Sequence, residues 1–397
     1  MAVFTAQTAL DFNTMNQLAT ITLAPGTSYT VSATSFDVFD GDSIFGTGVG
    51  FSPTGTGRPT AGTINTLDVN DGFLWSTDAY TITGLAHSFS GLVTAINNGG
   101  AYNGLSFLLN GSDTVNGSNG NDVLRGFAGI DNVLGNGGAD KLFGDGENDF
   151  LRGGAGKDFL DGGTGLDTAD YSDKGKAVVA VLKGATKSIV TVGGKAEDTI
   201  KNIERLVGGS GNDKLTGDNQ ANSLTGNGGK DTLIGKGGID LIRGNDANDV
   251  IDGGGAADNL YGGLGKDVIK GGAGADNIYG ELGNDTLTGG AGADKFYFDT
   301  ALDGLYNVDK ITDFAVGVDK IMLDAGIFEI DKVAYFFGTY FVVGSEATSS
   351  EDRIIYNKAS GKIFYDADGN GDVFGKILFA TVAKNTDLHA SDFQLVA

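Results

Sequence analysis

The sequence predicts an all-β chain with a repetitive centre, and three observations support that prediction. Glycine contributes 68 of the 397 residues against only 3 prolines, without a collagen-like triplet, so it must serve the turns of another repeat. Aspartate recurs every nine residues through the middle of the chain, and an apolar residue stands two positions after each member of that series. Outside the repeat, short β-branched and aromatic runs separated by turn residues are typical of strands.

The nine-residue period falls into two blocks, at residues 108–170 and 208–297, and neither block slips in phase. Glycine permits left-handed backbone at tight turns. Each repeat is therefore predicted to be a turn followed by a short strand whose apolar residue faces inward. The periodic positions are Asp113, Asp122, Asp131, Asp140, Asp149, Asp158 and Asp167 in the first block, and Asp213, Asn222, Asp231, Asp240, Asp249, Asp258, Asp267, Asp276, Asp285 and Asp294 in the second.

The repeats GGAGKDFLD, GGLGKDVIK, GGAGADNIY and GGAGADKFY resemble the calcium-binding nonapeptide of the RTX (repeats-in-toxin) family. The resemblance implies a calcium-binding parallel β-roll in two blocks, in which two nonapeptides make one turn and the turns stack into two parallel sheets. It also implies two lateral columns of calcium ions. Each ion would lie between repeats n and n+2, held by their aspartate side chains and by carbonyl oxygens of the glycine stretch. All of the periodic residues are then predicted calcium ligands, for roughly ten or more ions.

The charge of the chain favours the same partner. The net charge of -24 makes nucleic acid and anionic membranes poor partners. Carboxylates stacked at the spacing of adjacent strands, about 4.7–4.9 Å, would repel one another, and bound cations remove that penalty. The alternative to calcium binding is that the aspartates serve only to end turns, which Asp favours by itself. Cysteine is absent, which excludes a Cys-ligated metal site.

Some repeats depart from the pattern and are expected to bind calcium weakly. Glycine at the fourth position is replaced by Glu147, Gln220, Ala247 and Ala256. Asn222 keeps an oxygen but carries no charge, so the weakest sites of the second block are expected there.

Residues 171–207 interrupt the period and are predicted to form a β-hairpin spacer. The segment AVVAVLKGATKSIVTVGG contains two β-branched runs around a glycine turn. Asp167 and Asp213 are 46 residues apart, which is not a multiple of nine, so the two blocks need not share one column of ions.

Residues 298–397 change in composition. The aromatic and alternating apolar runs from Lys295 onward are predicted to be strands, namely KFYFD, DKITDF, DKIMLD, AYFFGTYFVVG, DRIIYN and KIFYD. Their order is similar to the C-terminal region of RTX proteins exported by type I secretion. The resemblance implies a C-terminal export signal, the type I secretion apparatus as a partner, an extracellular or cell-surface location, and a cap on the roll. The first residues lack the basic and apolar regions of a secretory signal peptide, which agrees with this export route. The sequence contains no run of eighteen apolar residues, so no membrane span is predicted.

One further motif lies in this region. Residues Asp366-Ala-Asp368-Gly-Asn370-Gly match the opening of an EF-hand loop, but position twelve is Ile377 instead of the bidentate Glu. A calcium site and an Asx/Gly hairpin turn both remain open, and the hairpin turn is favoured.

Residues 1–107 carry no repeat and are predicted to form a separate β-rich domain, with one candidate helix near SFSGLVTAINN. The main hypothesis is a non-enzymatic calcium-set scaffold of the cell surface or extracellular matrix. A lectin-like N-terminal module would use Trp75, Tyr80 and Tyr102 against a cell-surface or matrix polysaccharide. A secreted hydrolase is the second alternative, but no HExxH or GxSxG motif precedes residue 108, so no enzyme is predicted.

Overall fold

The computed structural model describes residues 111–117, 119–330, 337–371 and 373–396, together with the backbone of five short strands nearer the N terminus. These strands are β1 (Val31–Ser32), β2 (Ser35–Phe36), β3 (Val49–Phe51), β4 (Thr63–Val69) and β5 (Tyr80–Ser88). Strand β1 pairs with β2, and β4 pairs with both β3 and β5, always antiparallel. Strands β1 and β5 lie within the segment 1–107, for which short strands are predicted. The candidate helix falls, after Ser88, outside the described residues.

The first block forms nine short strands. They are β6 (Thr114–Asn116), β7 (Val123–Ala128), β8 (Asn132–Leu134), β9 (Gly137–Gly138), β10 (Lys141–Gly146), β11 (Phe150–Arg152), β12 (Ala155–Gly156), β13 (Phe159–Thr164) and β14 (Thr168–Asp170). Strands β7, β10 and β13 form one parallel row, in which Leu124 pairs with Leu142 and Leu142 with Leu160. Strands β6, β8, β11 and β14 form the other. Partners lie eighteen residues apart, so two nonapeptides make one turn, which confirms the parallel β-roll.

The spacer contributes strands β15 (Val178–Val181), β16 (Ser188–Val192), β17 (Lys195–Lys201) and β18 (Arg205–Val207). The predicted hairpin is present, because β15 and β16 pair antiparallel through Val178 and Val192. Strand β17 then pairs parallel with β13, placing Ile200 beside Leu160. Strand β15 pairs parallel with the first strand of the second block.

The chain divides into two compact units, and the spacer contributes to both. One unit contains residues 1–170, 183–190 and 196–205. The other contains residues 171–182, 191–195 and 206–397. Segments of the spacer therefore belong to each of the two units.

The second block forms ten strands. They are β19 (Lys214–Thr216), β20 (Ser223–Gly228), β21 (Thr232–Gly237), β22 (Leu241–Asp246), β23 (Val250–Gly255), β24 (Asn259–Gly265), β25 (Val268–Ala273), β26 (Asn277–Gly283), β27 (Thr286–Ala291) and β28 (Lys295–Phe298). The odd-numbered strands from β19 to β27 pair in parallel, and the even-numbered strands from β20 to β28 do the same.

The apolar residue of every repeat lies in the core, with at most 2% of its surface exposed. These residues are Val115, Leu124, Val133, Leu142, Leu151, Leu160, Ala169, Leu215, Leu224, Leu233, Ile242, Ile251, Leu260, Ile269, Ile278, Leu287 and Phe296. Strand residues alternate between the two faces of a sheet, so the neighbours of these side chains face outward. Burying one Leu or Ile in this way contributes about 1.5–3 kcal/mol, and each repeat supplies only one such side chain.

The segment after the second block continues the same sheets. It contains β29 (Asp309–Ile311), β30 (Lys320–Asp324), α1 (Phe337–Tyr340), β31 (Phe341–Val343), β32 (Ile354–Asn357), β33 (Lys362–Tyr365), β34 (Ile377–Thr381), a 3-10 turn (Ala390–Asp392) and β35 (Phe393–Val396). Strand β29 pairs parallel with β27, and β30 pairs parallel with β28. Five of the predicted C-terminal strands are present, and two of them extend the roll without a nonapeptide. The prediction of a strand at AYFFGTYFVVG is wrong over Phe337–Tyr340, which form α1, and its strand is limited to β31; its first three residues lie outside the described residues. Within the described parts of the chain, no helix has the length and apolar character needed to cross a membrane.

Candidate metal centre

The periodic aspartates form a hydrogen-bonded series that we call the aspartate ladder, defined as the seventeen periodic residues from Asp113 to Asp294. From Asp113 to Asp149 and from Asp213 to Asp276, each member donates its backbone N–H to the side-chain Oδ1 of the member eighteen residues later, at 2.7–3.0 Å. All seventeen side chains are buried. The structure therefore brings together every predicted site residue within its own block.

The second carboxylate oxygen of most ladder members has no hydrogen-bond partner although it is buried. This holds for Oδ2 of Asp113, Asp131, Asp140, Asp149, Asp167, Asp231, Asp240, Asp249, Asp258, Asp267, Asp276, Asp285 and Asp294. Leaving a buried polar atom unpaired costs about 1–3 kcal/mol, and more when the group is charged. A long row of such atoms indicates that another partner is required.

Sixteen of the seventeen ladder members have a glycine five residues before them, and this glycine lies against the side chain of its ladder member where the structure describes it. A Cβ built on Gly244 would lie 2.2 Å from Oδ2 of Asp249 and 2.5 Å from the carbonyl oxygen of Gly262. Because glycine has no side chain, one carboxylate oxygen and one carbonyl oxygen can both lie next to it. Calcium accepts this mixture of oxygen ligands in flexible geometry.

The pKa values of the ladder aspartates also favour a bound cation. Burial, followed by repulsion from other aspartates, raises the pKa of Asp249 and of Asp258 to about 7, although each carboxylate also accepts a backbone N–H that opposes the shift. The charged form is therefore disfavoured in the bare protein. A divalent cation at Oδ2 would restore it.

Carbonyl oxygens must complete any such site. Among the described residues, no group of three or more Asp, Glu or His side chains is placed to hold a metal ion by itself. Hard oxygen donors drawn from side chain and backbone suit calcium and do not suit zinc, which prefers Cys and His. The residues present therefore fit calcium.

Two ladder members at the start of the second block differ from the others. Oδ2 of Asp213 accepts the N–H of Gly209 at 2.6 Å, and Oδ1 of Asn222 accepts the N–H of Asp218 at 2.7 Å. A backbone donor occupies the place that a cation would take elsewhere. Weak calcium binding at Asn222 stays a prediction, and we now expect weak calcium binding at Asp213 as well.

The irregular fourth positions are strained. Glu147, Ala247 and Ala256 adopt positive φ angles of 71°, 80° and 81°, where side chains other than glycine are disfavoured. The roll continues through them. Gln220 instead donates its N–H to Oδ1 of Asp218.

Four acidic residues outside the regular period continue the ladder in the same way. In the spacer, Asp198 accepts the N–H of Asp158 at 2.8 Å and Glu204 accepts that of Asp167 at 2.9 Å. In the C-terminal segment, Asp309 accepts the N–H of Asp285 at 3.0 Å and Asp319 accepts that of Asp294 at 3.1 Å. Each is followed two positions later by Ile or Leu. That local signal was available in the sequence, but the spacing to the preceding repeats is not a multiple of nine.

The EF-hand-like motif lies in the loop between the antiparallel strands β33 and β34. Oδ2 of Asp368 accepts the N–H groups of Val373 at 2.9 Å and Phe374 at 3.3 Å. These contacts are those of an Asx-stabilised hairpin loop, which agrees with the favoured interpretation. Calcium binding at Asp366 to Asn370 stays a hypothesis.

Comparisons with known proteins locate the repeats in the same two blocks. The family model of the RTX calcium-binding nonapeptide repeat matches residues 109–142, 134–169, 202–233, 234–269 and 261–296. No curated protein matches the chain. Among solved structures, the extracellular lipase LipA from Serratia marcescens aligns with 72% of this chain at 15% identity and a TM-score of 0.18. The aligned region spans 39% of that lipase.

Proposed function

We propose that the protein, whose repeat blocks match the model of the RTX calcium-binding nonapeptide repeat, is a calcium-set scaffold that works outside the cell. The cell surface or the extracellular matrix is its proposed location. The observation that carries the proposal is the row of buried Oδ2 atoms without hydrogen-bond partners, most of which lie beside a glycine that is also close to a carbonyl oxygen. Such a row gives the folded roll a requirement for cations.

The calcium concentration differs enough between the inside and the outside of the cell to control folding. At millimolar calcium, a site with a dissociation constant of ~10⁻⁴ M contributes about 1.4 kcal/mol by mass action. Ten independent sites would contribute roughly 14 kcal/mol, comparable to the stability of a typical domain. At submicromolar calcium the same contribution is close to zero. The proposed scaffold is therefore unfolded where it is made and folded where it acts.

Export by a type I apparatus fits this behaviour, because such an exporter threads unfolded chains. Residues 298–397 are proposed to carry the export signal, on their resemblance to exported RTX proteins. Secretion of the full chain, compared with a chain lacking these residues, by a host with a type I exporter tests this assignment. Equal secretion of both chains would contradict it.

The scaffold function itself is tested by limited proteolysis of the full chain. We expect residues 108–297 to be cleaved rapidly in chelator and to resist cleavage at about 1 mM calcium. Magnesium at the same concentration is the control, because it demands stricter octahedral geometry and should protect poorly. Resistance in chelator, or equal protection by magnesium, would overturn the proposal.

A further inference from the structure

The C-terminal segment places a second carboxylate beside the end of the second block. Strand β29 lies parallel to β27, so that Ile311 pairs with Leu287. In this register Asp285 donates its N–H to Oδ1 of Asp309 at 3.0 Å. Both side chains are buried, with 1% and 3% of their surfaces exposed. Asp309 lies beyond the residues that match the repeat family.

The ligand set at this position differs from that of the turn before it. A Cβ built on Gly262 would lie 2.5 Å from Oδ2 of Asp267 and 2.7 Å from the carbonyl oxygen of Gly280. A Cβ built on Gly280 would instead lie 2.7 Å from Oδ2 of Asp285 and 2.9 Å from Oδ2 of Asp309. A carboxylate oxygen thus stands where the repeats present a neutral carbonyl.

We propose that Asp285 and Asp309 hold one calcium ion more tightly than the sites inside the blocks do, and that this ion fastens the C-terminal segment to the roll. The inference rests on the proposed function, since it assumes that the blocks bind calcium. Oδ2 of Asp285 is buried, accepts no hydrogen bond from an N–H group, and lies with Oδ2 of Asp309 beside Gly280. Two buried carboxylates in contact repel each other more strongly than a carboxylate and a carbonyl, so a cation gains more here. Greater ligand charge is also a means by which calcium sites reach higher affinity.

The opposite sheet provides a matched control. There Asp294 donates its N–H to Oδ1 of Asp319 at 3.1 Å, as Asp285 does to Asp309. Oδ2 of Asp319, however, accepts the N–H of Ala315 at 2.7 Å. The protein itself supplies the partner at Asp319, so this carboxylate is not expected to bind the tightest ion.

The test compares Asp309→Asn with Asp319→Asn in the full chain, by calcium titration against a competing chelator and by ion counting in native mass spectrometry. We expect D309N to lose one ion from the tightest class, with affinity at that site falling at least about tenfold. D319N should retain that ion. Proteolysis at the segment joining β28 to β29 should also become faster in D309N at limiting calcium.

The outcomes separate this inference from the proposed function. If the wild-type chain binds no calcium, the proposed function fails and the inference fails with it. If the wild-type chain binds calcium but D309N keeps the tightest ion, only the inference is overturned. Should D309N fail to fold at any calcium concentration, D285N removes the partner charge, and retention of the tightest ion in D285N would overturn the inference as well.

Discussion

Each aspartate of the ladder uses its two carboxylate oxygens differently. Oδ1 of Asp249 accepts the N–H of Asp231 and so fixes the spacing between adjacent turns. Oδ2 of the same residue points into the space beside Gly244 and has no protein partner. The first oxygen is structural and the second is available to a cation. Substitution by Asn would preserve the first role and weaken the second.

The glycines of the repeat differ in how much space an added side chain would have. Gly263 has a φ of 107°, and a Cβ there would lie 2.0 Å from the carbonyl oxygen of Asn245. We expect Gly263→Ala to lower the free energy of unfolding by at least about 2 kcal/mol in saturating calcium. Urea unfolding monitored by circular dichroism measures this free energy.

Gly255→Ala is the control for that substitution. Its Cβ would lie 3.7 Å from the carbonyl oxygen of Lys236, an ordinary contact. We expect a change within about 0.5 kcal/mol. Equal losses in the two variants would contradict the steric account of the repeat.

The raised pKa values of the ladder predict an unusual pH dependence for the calcium-free protein. Burial raises the pKa of Asp231 and of Asp249 to about 7, from an ordinary value of 3.8. Between these values the folded chain holds protons that the unfolded chain releases, so stability must fall as pH rises. We expect more β-structure at pH 5 than at pH 8 in protein stripped of calcium, by circular dichroism.

Calcium should reverse that dependence, because protons and calcium compete for the same oxygens. The calcium concentration at the midpoint of folding should rise as pH falls below about 7, the raised pKa of Asp249. Calcium-free protein that gains stability as pH rises would show that the carboxylates are not buried as described.

At the scale of elements, the spacer supplies a substitute for a repeat. Asp198 accepts the N–H of Asp158, and Ile200 packs beside Leu160 in the register of a normal repeat. Asp198 and Glu204 are only six residues apart, so the glycine stretch of a normal repeat is absent between them. The first roll thus ends on a shortened turn.

Removal of this substitute should destabilise the first roll. We expect Asp198→Ala to cost about 1–3 kcal/mol, because a buried N–H of Asp158 loses its acceptor. Asp173→Ala, at an exposed spacer residue, should change stability by less than about 0.5 kcal/mol. Hydrogen exchange at the amide of Asp158 measures the local effect, and unchanged protection in the Asp198 variant would contradict the assignment.

The nine-residue period predicted most of the strands of the roll, but it could not place the elements that depart from that period. The phase of Asp122 to Asp167 was enough to place the strands, because every repeat has the same turn and the same inward residue. Asp309 and Asp319 could not be placed by the period, because loops of other lengths precede them. Their apolar partners Ile311 and Ile321 carry the same local signal, but their positions depend on tertiary pairing with β27 and β28. Hydrogen bonding of Asp213 to Gly209 also has no signature in the sequence.

At the scale of the whole molecule, each repeat block combines a thin core with a dense set of buried carboxylates. One apolar side chain per nonapeptide, such as Leu233, gives little burial against the entropy of ordering a glycine-rich chain. The net charge of -24 adds repulsion throughout. Calcium binding and folding are therefore expected to be one event.

Far-UV circular dichroism of the full chain, recorded during a calcium titration from excess chelator to the millimolar range, tests this account most directly. We predict a chain with little β-structure in chelator and a cooperative gain of β-structure between about 10⁻⁴ and 10⁻³ M calcium, the range of extracellular calcium modules. Full β-structure in chelator that does not change when calcium is added would contradict it.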